Sequence, residues 1–242
     1  IYRGWWIVLA SFLGQMSAVG TTGYGIGVLL NPMERSLGWS RTELIGAIAV
    51  SRIVSGIISP IIGPLLDRYG ARMLMVGSAF VFGVSLLLLG LVTTMWQYYL
   101  IVALGFGLTI PNLVGLSPRA AIANWFIRKR SIATTFFSLG SSAAGIFIAP
   151  LVAWAANAFN WQTSWALLGF IAWTVIPVAW FSIKRRPEDI GLLPDGYTPV
   201  ATSTISTEAV KIAEVQWTVP EALRTSSYWL VIAGFMLMGL GF

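Results

Sequence analysis

Six apolar stretches follow one another along the chain, at residues 5–30, 42–66, 73–94, 96–116, 131–156 and 164–183. A helix that crosses a bilayer needs about 20 predominantly apolar residues. Hydrocarbon offers no hydrogen-bond partners, so segments of this kind must pair their own backbone groups as helices. Charged residues make up only 10% of the chain, against about 25% in a soluble domain. Too few remain to cover a water-facing surface, and lipid must take their place. The expectation is an all-α membrane protein with a six-helix bundle over residues 1–183.

A seventh apolar stretch begins near Tyr228 and reaches Phe242. Its rise of about 22 Å falls short of a hydrocarbon core about 30 Å thick, so it is expected to be the truncated start of a seventh helix. Between the bundle and this stretch, residues 184–227 hold Pro187, Pro194, Pro199 and six of the nine acids. That composition suits a cytoplasmic linker. A capping-box pattern at Thr218-Val219-Pro220-Glu221 predicts a short helix near 219–225.

Charge in the connections sets the orientation. Arg3, Arg68, Arg72, Arg119, Arg128, Lys129, Arg130, Lys184, Arg185 and Arg186 fall on one side, and only Arg35 and Arg41 on the other. Lysine and arginine favour the cytoplasmic side, which places the N-terminus inside. These loop positions explain the net charge of +6 as a topology signal, and no nucleic-acid partner is expected. Ser40-Arg41-Thr42-Glu43 predicts the start of the second helix, and Asn31-Pro32 the end of the first. Trp96, Tyr98 and Tyr99 at one end of the fourth helix, with Trp125 and Phe126 at the other, read as interfacial aromatic belts.

Between the second and third stretches the chain reads Gly63-Pro64-Leu65-Leu66-Asp67-Arg68-Tyr69-Gly70-Ala71-Arg72. Gly63, Asp67, Arg68, Gly70 and Arg72 match the loop 2–3 signature of the major facilitator superfamily. Six helices, a linker and a seventh helix resemble the first half of such a transporter. Residues 125–133, with Gly4-Trp5-Trp6 and residues 185–191, are similar to the monocarboxylate and oxalate/formate-type carriers within it. The resemblance implies a three-plus-three inverted repeat and a C-terminal six-helix half absent from this chain. It also implies alternating access, by proton symport or anion exchange, in a plasma or inner membrane. Asp67, Arg68, Gly70 and Arg72 would then belong to the cytoplasmic gate. Two positions depart from the pattern. Ile101 stands where the fourth helix usually has arginine, and residues 5–30 lack the lysine of animal monocarboxylate carriers.

Arg52 is the sharpest single residue. It lies mid-helix, where a cation costs at least about 2.5–3.5 kcal/mol, too far from either end to snorkel. Ser55, Gly56 and Ser59 share its face at helical spacing. A guanidinium matches a carboxylate with two parallel hydrogen bonds, so Arg52 is a candidate ligand for a small organic anion. The alternative is a structural arginine bonded to carbonyls of a neighbouring helix. Gln15, Tyr24 and Asn112 are weaker candidates, for which helix–helix bonding is the first reading and substrate binding the second. With no histidine, no cysteine and no deep carboxylate pair, the six helices offer little for catalysis, and no cofactor or metal is implied. A carrier of neutral or cationic solutes, or a non-transporting receptor or assembly protein, are the competing readings.

Overall fold

A computed structural model describes residues 2–183 together with Thr225, Trp229, Leu230 and Gly234. The chain divides into two compact units, Ile1–Pro199 and Val200–Phe242. In the second, Trp229, Leu230 and Gly234 are helical. The expected linker, the short helix near 219–225 and the rest of the seventh helix lie outside the described residues.

The described residues of the first unit form a bundle of six helices. Helix α1 runs through Gly4–Val19, a π-helical turn at Gly20–Gly25, and Ile26–Leu37. Helices α2 and α3 are the two limbs of the continuous stretch Arg41–Leu89, on either side of Gly70. Helix α4 spans Met95–Trp125, α5 spans Arg130–Ala158 and α6 spans Trp161–Ser182. Four of these stretches are long and apolar enough to cross a membrane among the described residues, and Arg41–Leu89 is one of them.

That 49-residue stretch cannot be one straight rod. Ser55 donates to the carbonyl of Gly107 at 3.0 Å, and Ser85 packs against Gly105. A straight helix would hold Ser55 and Ser85 about 45 Å apart, yet both reach neighbouring turns of α4. The chain therefore folds back between them. The pivot is Gly70, with φ +78° and ψ 162°, a conformation essentially reserved for glycine.

Three helix pairs carry the packing. Helices α1 and α5 run parallel, with Trp5 on Phe136 at 5.6 Å between centroids, Phe12 and Gln15 against Gly140, and Gly20 against Ile148. Helices α2 and α4 also run parallel: Tyr98 donates to the carbonyl of Leu44 at 3.1 Å, and further along Ser55 meets Gly107. Helices α3 and α6 run antiparallel through Gly90 and Gln162, Phe80 stacked on Trp173, and Arg72 over Trp180. Exchanging α1 with α4, α2 with α5 and α3 with α6 maps this set of pairs onto itself. That is the pattern of a three-plus-three repeat.

The glycines make the close crossings. A Cβ on Gly20 would sit 2.8 Å from Ile148, and one on Gly107 would sit 2.6 Å from Val54. Small residues are what allow membrane helices to approach, since lipid gives no hydrophobic push between them.

Several local expectations are met and others corrected. Ser40 caps α2 as predicted, accepting from the Glu43 N–H at 3.3 Å while Glu43 accepts from the Ser40 N–H at 2.8 Å. Helix α1, however, does not end at Asn31-Pro32. It continues to Leu37 and stops at Gly38, whose φ is +71° and whose N–H donates to Glu34 O at 3.0 Å. Leu29, Leu30 and Met33 are buried around the proline, and that packing outweighs the single backbone bond Pro32 removes.

The aromatic belts are mostly core instead. Only Trp96 faces outward, at 66% exposure, while Tyr98 is 1% exposed. Tyr99 donates to Glu43 O at 2.9 Å, tying α4 to the start of α2. Trp125 and Phe126 are buried under Tyr2 and Trp5.

Candidate functional site

Helices α1, α2 and α4 enclose a cleft of about 360 Å³, near the lower end of small-molecule sites, which run about 300–1,000 Å³. Helix α2 contributes Ile48, Ser51, Arg52 and Ser55. Their spacing places them on one face, one turn apart. Helix α4 contributes Ile110, Pro111, Val114 and Gly115, and α1 contributes Thr22.

Arg52 is the only charged side chain lining this cleft among the described residues. Its side chain is exposed to the cleft rather than buried in protein. It makes no hydrogen bond or ion pair with any described residue, so the structural alternative, a guanidinium spent on neighbouring carbonyls, is not what the fold does with it. The polar face runs through Ser51 and Ser55. Gly56 and Ser59, expected to share it, lie on the more open side and do not line the cleft.

The backbone around the cleft is irregular on both flanks. Residues Gly20–Gly25 of α1 and Pro111–Gly115 of α4 are π-helical turns. Such turns loosen the regular hydrogen-bond ladder and recur at functional sites. In α4 the cause is legible. Pro111 has no N–H to offer the carbonyl four residues earlier, which is Gly107 O. The Ser55 hydroxyl takes that carbonyl from across the helix interface. One proline therefore both opens the backbone of α4 and recruits a serine of α2 to repair it. Immediately below, Gly115 departs from helix at φ −111° and ψ −101°.

The other expected substrate residues are not gathered here. Asn112 is 5% exposed and engaged within its own helix: its Nδ2 donates to Leu108 O at 3.2 Å and its Oδ1 accepts from Ser117 at 3.2 Å. Gln15 packs against Gly140 of α5, with its Oε1 buried and unpaired. Tyr24 lies against Gly145 of α5. These two belong to the α1–α5 contact, the helix–helix role read for them from the sequence, and do not line the Arg52 cleft. Conversely, Thr22 and Ser51 line the cleft without having been singled out. Their only sequence signals are a glycine-rich run, Gly20-Thr21-Thr22-Gly23-Tyr24-Gly25, and the position of Ser51 beside Arg52.

At the far end of α2, Asp67 and Arg68 are exposed, with Arg68 5.3 Å from the Tyr69 ring. Arg72 behaves differently. It stacks 4.0 Å over the indole of Trp180 in α6 and is half-buried. The four residues that the resemblance assigned to a gate thus separate into two exposed charges, a glycine pivot and an arginine stacked between α3 and α6. Among the described residues, no group of histidine, cysteine or carboxylate side chains could hold a metal ion.

The family model for the Major Facilitator Superfamily matches residues 8–242. The MFS-type transporter pytF of Aspergillus terreus is 25% identical over 98% of this chain and 74% of its own length. The probable L-galactonate transporter of Escherichia coli K12 is 22% identical over 84% of this chain and 44% of its own. The hexuronate transporter of the same strain is 26% identical over 45% of this chain and 25% of its own. The chain therefore spans less than half the length of these two bacterial relatives.

Proposed function

The chain belongs to the Major Facilitator Superfamily, and from that premise we propose that it is the N-terminal half of a secondary transporter for a small organic anion, a monocarboxylate. The observation that carries this reading is Arg52, a guanidinium unpaired among the described residues, at mid-helix in a cleft between three helices. A cation held at that depth is costly unless something repays it, and a carboxylate does so with two charge-assisted hydrogen bonds. Two relatives are named for L-galactonate and hexuronate transport, and a carboxylate is common to both cargoes.

The mechanism that suits this geometry is alternating access. This bundle and a second six-helix half rock about a midplane site, with loosened helix segments lining it. Asp67 and Arg68, exposed at the end of α2, act at the cytoplasmic gate, and Gly70 fixes the turn that presents them. The N-terminus is cytoplasmic. Coupling is by proton symport or by exchange of one anion for another, and the coupling group resides in the second half. The site residue of this half is Arg52.

The test is uptake by the full-length protein in proteoliposomes. Arg52→Gln removes the charge and keeps a polar side chain, and it should reduce organic-acid uptake by roughly 100-fold, two charge-assisted hydrogen bonds' worth. Undiminished uptake of organic acids, or uptake of neutral solutes alone, would overturn the anion reading.

A further inference from the structure

Every hydroxyl lining the Arg52 cleft has already donated its proton to the main chain. Thr22 donates to Ala18 O at 2.8 Å, Ser51 to Ile48 O at 2.7 Å, and Ser55 to Gly107 O at 3.0 Å. A hydroxyl carries one proton and two acceptor lone pairs. Once the proton is committed, what the oxygen has left to offer is acceptance. The three oxygens are held in this state by different means: Thr22 within a π-helical turn, Ser51 within α2, and Ser55 across the helix interface by the carbonyl that Pro111 leaves open.

The cleft therefore presents a divided chemistry. Arg52 supplies donors and no acceptor, and the Thr22, Ser51 and Ser55 oxygens supply acceptors. We infer that the cleft selects a hydroxylated monocarboxylate, whose carboxylate accepts from Arg52 while its own hydroxyls donate to these three oxygens. This rests on the anion-transport reading and narrows it. A plain aliphatic acid satisfies Arg52 but leaves the oxygens of the wall without donors, after displacing the water that served them. A dicarboxylate sets its second charge against lone pairs. A site built to hydrogen-bond a hydroxyl discriminates strongly against the analogue lacking it, because its polar groups are left unpaired. The volume of about 360 Å³ suits a small acid.

The test uses the full-length protein and three competitors of equal carbon count: gluconate, hexanoate and adipate. Binding is read by displacement of a labelled organic acid and by thermal stabilisation. Gluconate should bind at least ~10-fold more tightly than hexanoate, and adipate should fall below gluconate. Thr22→Val keeps the shape of the side chain and removes its oxygen. It should shrink the gluconate-to-hexanoate ratio several-fold, weakening gluconate and relieving the penalty on hexanoate. Equal affinity for gluconate and hexanoate in the unmutated protein, or a ratio untouched by Thr22→Val, would overturn the inference and leave the anion reading standing. Binding of all three acids unaltered by Arg52→Gln would instead remove the anion reading itself.

Discussion

Arg52 lies on α2 and Arg72 just past the Gly70 pivot on α3, and the fold treats them in opposite ways. Arg72 stacks on Trp180 at 4.0 Å and joins α3 to α6. Arg52 lines a cleft and makes no hydrogen bond or ion pair among the described residues. The sequence already separates them, Arg52 within an apolar run and Arg72 in the charged reversal between two such runs. The difference shows that an arginine in a membrane bundle is defined by what the opposing helix presents: an indole face answers the charge, whereas Thr22 and a proline-loosened turn of α4 leave it open. One cation is covered by an aromatic face, although its Nε has no hydrogen-bond partner among the described residues; the other lines a cleft, which is the basis of the ligand role proposed for it.

The most demanding way to break this comparison is to exchange the consequences of losing each cation. Arg52→Leu should abolish organic-acid transport, by roughly 100-fold or more, without lowering the unfolding temperature of the solubilised protein. Arg72→Leu should lower that temperature by losing about 1–2 kcal/mol while the KM for substrate stays within twofold. If both variants lose transport and stability together, the distinction fails.

The pivot between the two arginines gives the next effect. Gly70→Ala forces a side chain into φ +78°, ψ 162°, and should cost about 2 kcal/mol in chemical or thermal unfolding. Gly77 lies one limb further on, has open space around it and a negative φ, and so serves as the control. Gly77→Ala should be neutral or slightly stabilising.

A smaller effect sharpens the brace. Trp180→Leu retains apolar volume but removes the ring under Arg72, and should cost about 1 kcal/mol with no change in substrate KM. Smaller again, Ser55→Ala leaves the Gly107 carbonyl without its donor and should cost about 1 kcal/mol or slightly less. Unlike Trp180→Leu, it should also disturb substrate affinity, because Ser55 lines the cleft. A Ser55→Ala variant with unaltered affinity would detach the α2–α4 contact from the site.

Much of the scaffold was legible from the chain alone. The six stretches, the capping box at Ser40 and the reversal near Gly70 are all where the residues place them. Arg52 stood out because a lone cation in an apolar run is conspicuous without any knowledge of the fold. Boundaries were less legible. Helix α1 passes through Pro32, and α4 runs nine residues beyond Leu116 to Trp125, because the residues just past the apolar run, Ser117 and Pro118 among them, are buried by packing.

What faces what was not legible at all, and the reason is physical. The sequence by itself determined that the chain carries helices apolar enough to cross a membrane, roughly where it turns, and that one cation lies within an apolar run. Those facts follow from the cost of placing each residue in hydrocarbon, which adds up along the chain. Only the tertiary structure decided that Tyr98, Trp125 and Phe126 are core, that Asn112 serves its own helix, and that Arg72 stacks on an indole while Arg52 lines a cleft. Lipid tails are as apolar as leucine, so composition cannot distinguish a helix face that meets lipid from one that meets another helix. That choice is made by the glycine crossings at Gly20 and Gly107 and by the carbonyl that Pro111 sets free.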